Sequence, residues 1–177
     1  MGTERMQPLT LICNYPEGRL YTLQADLSGL KILDVEVGLD WALLIAFNRG
    51  KLESVKGSRI YQKYASMAAG CDMVIGYIAN DRMFVVLDRF FNGEITDLAL
   101  INSLSALKPG KQYVALTEQA CGQIKILDEQ HISAEDRKSL KTESEANRSK
   151  GISLADEICR KYRREGRFFD EILKAGE

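Results

Sequence analysis

The feature that most constrains this chain is a change of character at Leu127. Before it, apolar and polar residues alternate in short runs punctuated by turn residues. After it comes "DEQHISAEDRKSLKTESEANRSK" (128–150), almost wholly polar. Alternation at period two is the mark of half-buried strands, whereas a long polar stretch without Gly or Pro suits a solvated helix. The expected fold class is therefore α+β: a strand-dominated core over residues 1–127 and a helical appendage over 128–177. The appendage turns amphipathic again in "ISLADEICRKYRREGRFFDEILKAG" (152–176). There Ile152, Ala155, Ile158 and Tyr162 share one stripe, and Phe168, Phe169, Ile172 and Leu173 share another that would dock the tail.

Within the core, "LTLICNY" (9–15), "RLYTLQADL" (19–27) and "LKILDV" (30–35) read as strands separated by "PEG" and "SG" turns. Asp40 opens a short apolar helix, "DWALLIAFNR" (40–49), with Trp41 expected in the core, and residues 54–70 read as a helix closed by Gly70. "DMVIGYIANDRMFVVLDRF" (72–90) has the pattern of a hairpin, two apolar runs flanking Asn80-Asp81. Residues 96–110 form a helix capped by Thr96, with Leu98, Ile101, Leu104 and Leu107 facing inward and Pro109-Gly110 ending it. "QYVAL" (112–116) and "QIKIL" (123–127) are the last strands, joined by a turn that Thr117 caps. Ser133 and Asp136 are spaced like a capping box.

The composition excludes several function classes. With 24 basic and 25 acidic side chains the net charge is −1, which gives no global field for nucleic acid or an anionic membrane. Four scattered cysteines without a C-x-x-C pair and a single histidine, His131, argue against a disulfide framework, a thiolate zinc site and a histidine-rich metal site. The longest apolar run, "WALLIAF" (41–47), is too short to cross a bilayer, so no membrane association and a reducing, cytoplasmic compartment are expected.

Generic catalytic motifs are absent: no glycine-rich phosphate loop, no G-x-S-x-G, no H-E-x-x-H. The cluster "RKYRREGR" (160–167) could hold phosphates, but Glu165 and the neighbouring Asp156-Glu157 make a solvated helix face the simpler reading. Arg49, following an apolar helix, is a candidate anion contact.

A more specific signal is the order of four blocks: "LSGLKIL", "DWALLIAFNR", "CDMVIGYIANDRMF" and, after a leucine-rich helix, "KQYVALTEQACGQIKIL". Over about residues 20–127 this order resembles an uncharacterised bacterial domain family grouped with the ADP-ribosyltransferase-like fold. The resemblance implies two packed antiparallel sheets with NAD held in the cleft between them. It also implies transfer of ADP-ribose, after loss of nicotinamide, to a protein or nucleic-acid acceptor. Gln112 matches the position where the fold most often carries Glu. An acceptor there grips the ribose as positive charge develops, and an amide stabilises that cation less than a carboxylate. The implied site is thus Gln112 as the catalytic residue, Gln112 and Tyr113 against NAD, and Arg49 at a phosphate, with no metal. The bland alternative for Gln112 is an ordinary polar residue at a strand entrance.

The family's segments carrying a histidine and a tyrosine, Y-H-G-S and G-x-G-F-Y-x-T, do not occur here, and residues 1–19 hold no histidine. Two functions follow. One is an NAD-dependent ADP-ribosyltransferase, a toxin or effector of the kind found beside a small antitoxin. The other is a catalytically degenerate or partial member that binds another protein chain, antitoxin-like or complementing, through exposed sheet edges. Nucleic acid is expected only as an acceptor of ADP-ribose.

Overall fold

A computed structural model of the chain describes residues 1–3, 5–77, 81–106 and 110–176, with residues 7, 10, 11, 81–84, 147 and 148 described by backbone alone. In chain order the elements are α1 (Met6–Ile12), β1 (Arg19–Ala25), β2 (Ile32–Asp34), α2 (Leu39–Asn48), a 3-10 turn (Glu53–Val55), α3 (Arg59–Ser66), β3 (Met73–Tyr77) and α4 (Asp81–Phe91). There follow α5 (Asp97–Ala106), β4 (Lys111–Ala115), α6 (Glu118–Gly122), β5 (Ile124–His131), α7 (Ala134–Lys161) and α8 (Phe169–Ala175). The expected α+β class and the helical C-terminal region are present.

The residues divide into two compact units interleaved along the chain. Unit 1 comprises Met1–Asp34, Gly70–Ile78 and Gly110–Ser149, and unit 2 comprises Val35–Ala69, Ala79–Pro109 and Lys150–Glu177. The position expected to end the core, residue 127, falls inside β5.

Unit 1 holds both sheets. One is three-stranded in the order β2-β3-β4, the other a two-stranded ribbon of β1 and β5. β3 and β4 run antiparallel, with Ile75 opposite Tyr113 and Gly76 opposite Gln112, whereas β2 lies parallel to β3. That parallel pair corrects the all-antiparallel expectation. The chain from Asp34 to Met73 carries α2 and α3, and a crossover of that length is what parallel neighbours require. Met73, Ile75 and Ala120 are buried, and Leu27, Leu30, Tyr113 and Ala115 pack on them. Asp72 ties the sheet together: its carboxylate accepts the Lys31 N–H at 2.8 Å and the Thr117 hydroxyl at 3.0 Å. Those two bonds, the backbone one first, hold its carboxyl below the usual carboxylate range. Thr117 also caps α6 as expected, accepting from the Ala120 N–H at 3.2 Å.

Two strand assignments give way to helices. "LTLICNY" contributes to α1, where Leu9 is buried and Ile12 packs close enough to the chain that a Cβ on Gly18 would lie 2.1 Å from its Cγ2. Short apolar runs fit either period, and here the i, i+3 spacing of Leu9 and Ile12 prevails. The second arm of the expected hairpin is α4. Asp81 begins it, Asn80 lies outside the described residues, and Val86, Leu87 and Phe90 form a buried helical stripe where the β-branched run suggested a strand.

Unit 2 is helical. Trp41, Leu43, Leu52, Tyr64, Val86, Leu87, Phe90, Leu100 and Leu104 are buried, and α8 joins them through Phe169, whose ring stands 5.3 Å from that of Phe90 and 5.4 Å from that of Phe91. The expected helix over 54–70 is split at Gly57, whose φ of +97° favours glycine, and Ser58 caps α3 by accepting the Tyr61 N–H. In α5 Thr96 caps as expected, accepting from Ala99 at 3.3 Å, but the inward stripe is rotated. Leu98 is exposed, while Thr96, Leu100, Ser103 and Leu104 are buried and Leu107 lies outside the described residues. Polar residues can take the inner face here because they are bonded. Asp97 accepts the Arg167 N–H at 2.8 Å, and Ser103 meets the Cys159 sulfur at 3.7 Å. At the start of α7 the Ser133 hydroxyl accepts the Asp136 N–H at 3.1 Å as an N-cap does and donates to the Asp136 carboxylate at 2.7 Å, a side-chain bond where a capping box has a backbone one.

Candidate functional site

β1 is a mostly exposed strand that contacts α1, and the chain ahead of α1 lies on β4. Thr3 donates its N–H to the Lys111 carbonyl at 3.0 Å, Tyr113 donates to the Met1 carbonyl at 2.7 Å, and Gly2 bridges Gln112 antiparallel. Residues 1–3 therefore act as a short extra strand on the edge of the three-stranded sheet. A cleft of about 750 Å³ opens in unit 1 between this added strand and β1. Its walls include Met1, Arg5, Arg19, Tyr21, Tyr113 and Gln130. That is within the size range of small-molecule sites, and the mixture of apolar wall and few polar groups is typical of them.

Both arginines of the cleft are already engaged. The Arg5 Nη2 donates to Gln130 Oε1 at 2.7 Å. Arg19 pairs with Glu129 across the ribbon, and hydrogen bonding and charge from that carboxylate raise the guanidinium pKa further. Beyond the cleft, on the three-stranded sheet, Lys111 Nζ contacts Asp34 at 3.0 Å and stands 5.7 Å from the Tyr77 ring centre.

Of the residues expected at the site, Tyr113 lines the cleft with its ring packed toward Met73, Ile75 and Ala120. Gln112, its neighbour on β4, is half-buried and is not among the residues lining the cleft. Successive strand residues face opposite sides of a sheet, so the two side chains cannot enter one pocket from the same wall. Arg49 belongs to unit 2, where it is exposed and closes α2, its N–H donating to the Ile45 carbonyl at 3.0 Å. The structure thus sets Gln112 and Tyr113 side by side and brings only Tyr113 to the cleft. Sequence reasoning missed Arg5 and Arg19. Arg19 was legible as the first residue of an alternating run, whereas Arg5 carried no signal until the segment ahead of α1 was seen on β4.

Among the described residues no group of three or more His, Cys, Asp or Glu could hold a metal ion, and no helix is long and apolar enough to cross a membrane.

Fold and cleft together define an α+β protein with a ligand-sized opening between two small sheets. The chain belongs to the DUF3990 family, described as protein of unknown function, whose model matches residues 13–126. No curated protein and no solved structure matches it.

Proposed function

We propose that this chain is an ADP-ribosyltransferase-like protein that takes NAD into the unit 1 cleft. The ring of Tyr113 lies against the ligand, and Arg5 and Arg19 reach its phosphates. The observation that carries this reading is where the cleft lies. It opens between the two sheets, along β1 and beside the strand bearing Gln112-Tyr113, which is where the four-block resemblance puts the dinucleotide. Both arginines would exchange a neutral amide or a carboxylate for a pyrophosphate, an exchange that the guanidinium fork suits. Gln112 faces away from this wall and carries no charge, so it lends little to an oxocarbenium-like ribose. Binding is then the main activity and transfer a slow one. Four cysteines, none of them in a disulfide among the described residues, fit a reducing, cytoplasmic setting.

A second reading is favoured by one observation. Ile126 and Leu127, adjacent at the ribbon's irregularity, are 66% and 60% exposed, and among the described residues neither outer edge of the ribbon pairs with a further strand. Such a surface suits a protein-binding module that pairs with another chain.

A thermal-shift titration of the full chain with NAD separates the two. A ligand that binds only the folded state stabilises it by about 2.7 kcal/mol at a hundred times its Kd. The parent should show a rise in melting temperature that is lost in an Arg5→Ala, Arg19→Ala double variant and kept in Gln112→Ala. No shift up to millimolar NAD, with a second polypeptide co-purifying, would overturn the NAD reading in favour of the binding module.

A further inference from the structure

The run Arg160–Arg167 is the densest positive charge in the chain, with four cations in the five residues from Arg160 to Arg164. Read from sequence, Glu165 and the Asp156-Glu157 pair balance it on a solvated helix face. The structure removes part of that balance, because Asp156 is paired elsewhere while Glu157 and Glu165 stay exposed beside the run. Asp156 lies 2.7 Å from the Arg89 Nη1, and Arg167 stands 3.6 Å from Asp97. Helix α7 ends at Lys161, so Arg163 and Arg164 belong to a turn that follows it. Arg160, Lys161, Arg163 and Arg164 are all exposed, and none has a carboxylate within ion-pair distance among the described residues.

This turn is also held in shape. The Thr96 hydroxyl donates to the Tyr162 carbonyl at 3.4 Å, and the Arg167 N–H donates to Asp97 at 2.8 Å, which ties the turn down at both ends. Gly166, at φ +88°, passes so close that a Cβ there would lie 2.3 Å from the Asp97 Oδ1. A cationic surface fixed in advance loses little conformational freedom on binding.

We propose that the Arg160–Arg164 turn is a docking surface for the phosphate backbone of a nucleic acid, bound without reading base sequence. Three of the four cations are arginines, whose planar forks match phosphate oxygens in pairs. The C-terminal charge of α7 explains a preference for cations at Arg160 and Lys161. It does not explain Arg163 and Arg164, which lie beyond the helix. Tyr162, half-buried with the Lys161 Nζ 5.1 Å from its ring centre, anchors the patch from beneath. A membrane surface fits less well. The exposed large apolar side chain nearest along the chain is Leu154, ahead of the turn, and the turn carries no wedge to enter lipid. This reverses the reading from sequence, where phosphate binding by this cluster, with Tyr162 stacking on a base, gave way to a solvated helix face.

The test is fluorescence anisotropy of a labelled mixed-sequence DNA duplex with the full chain, repeated over a range of salt. Four phosphate contacts predict a slope of log K against log salt of about −3 to −4. Arg163→Ala with Arg164→Ala should weaken binding roughly tenfold at low salt and make the slope shallower by about two, with the melting temperature unchanged. Polyglutamate and phosphatidylserine vesicles serve as rival polyanions. Equal binding of parent and variant, no binding at low salt, or either rival binding as tightly as the duplex would overturn the proposal.

Discussion

The two units of this molecule are built on opposite terms. In unit 1 the buried apolar residues described are Leu9, Met73, Ile75, Ala120 and Ile132, whereas unit 2 holds all the others described, from Val35 to Leu173. The exposed large apolar side chains divide the other way. Tyr21, Leu23, Val114, Leu116, Ile126 and Leu127 are among those of unit 1, and the described residues of unit 2 add Leu98 and Leu154. Helices satisfy their own backbone and need only bury a stripe, so unit 2 can close on itself. Strands must find neighbours, and a three-stranded sheet beside a two-stranded ribbon leaves edges and apolar faces over. The difference teaches where to look for each property: stability in unit 2, recognition through the cleft and ribbon in unit 1.

The strongest way to break that comparison is truncation of a core side chain. Phe90, fully buried against Phe169, should lose about 3–5 kcal/mol on Phe90→Ala, read from denaturant unfolding. Leu23→Ala in the ribbon, where the side chain is 36% exposed, should cost under about 1 kcal/mol. Equal costs would mean that unit 2 does not carry the stability.

A smaller effect is expected at Tyr64, whose buried hydroxyl donates to the Asp40 Oδ1 at 2.7 Å beside Lys63. Tyr64→Phe should cost about 1–2 kcal/mol near neutrality. Burial first, and the Asp40 carboxylate second, push the phenol above its ordinary 10.0. A raised folded-state pKa means that its contribution is whole below pH 10 and is lost as pH rises toward the folded value. The parent should therefore lose stability at alkaline pH more steeply than the variant. Asp40 is shifted the other way, below its ordinary 3.8, by Lys63 first and Tyr64 second. Its contribution is present above pH 4 and lost as pH falls through the folded value. Without the phenol the variant's acid dependence should be shallower. Urea titrations across pH check both arms.

The smallest effect sharpens the same contrast from the other side. Ile126→Thr should change stability by less than about 0.5 kcal/mol, because most of the side chain is already in water. If the ribbon receives a second chain, that variant should lose the partner in co-purification while its melting temperature holds.

Much of the fold was legible because local chemistry and global packing agree. Thr117, Ser133 and Thr96 cap the helices they were expected to cap, and Phe169, Ile172 and Leu173 are buried as their spacing implies. What was not legible depended on partners far away in sequence. Residues 9–15 and 81–91 fit both periods, and only tertiary burial of Leu9 and Phe90 decides for helix. The buried face of α5 includes Thr96, Asp97 and Ser103, which hydropathy sends outward until Arg167 and Cys159 come to meet them. The candidate site was half visible: the block order pointed to the strand of Gln112 and Tyr113, but the pleat decides which of the two faces the cleft. Arg5 enters it only because residues 1–3 add to the edge of β4.

That added edge and the interleaved units bear on how this protein can be cut. The span shared with the family, residues 13–126, stops two residues after Ile124, inside β5. Excised there, β1 would keep partners only for Leu23, Gln24 and Ala25 and lose those of Arg19–Thr22, while β4 would lose Gly2 and unit 2 would lose Phe169. The span that the family model matches is thus smaller than the set of residues that pair and pack here. A fragment trimmed to family boundaries would report on an unravelled sheet edge, not on this protein.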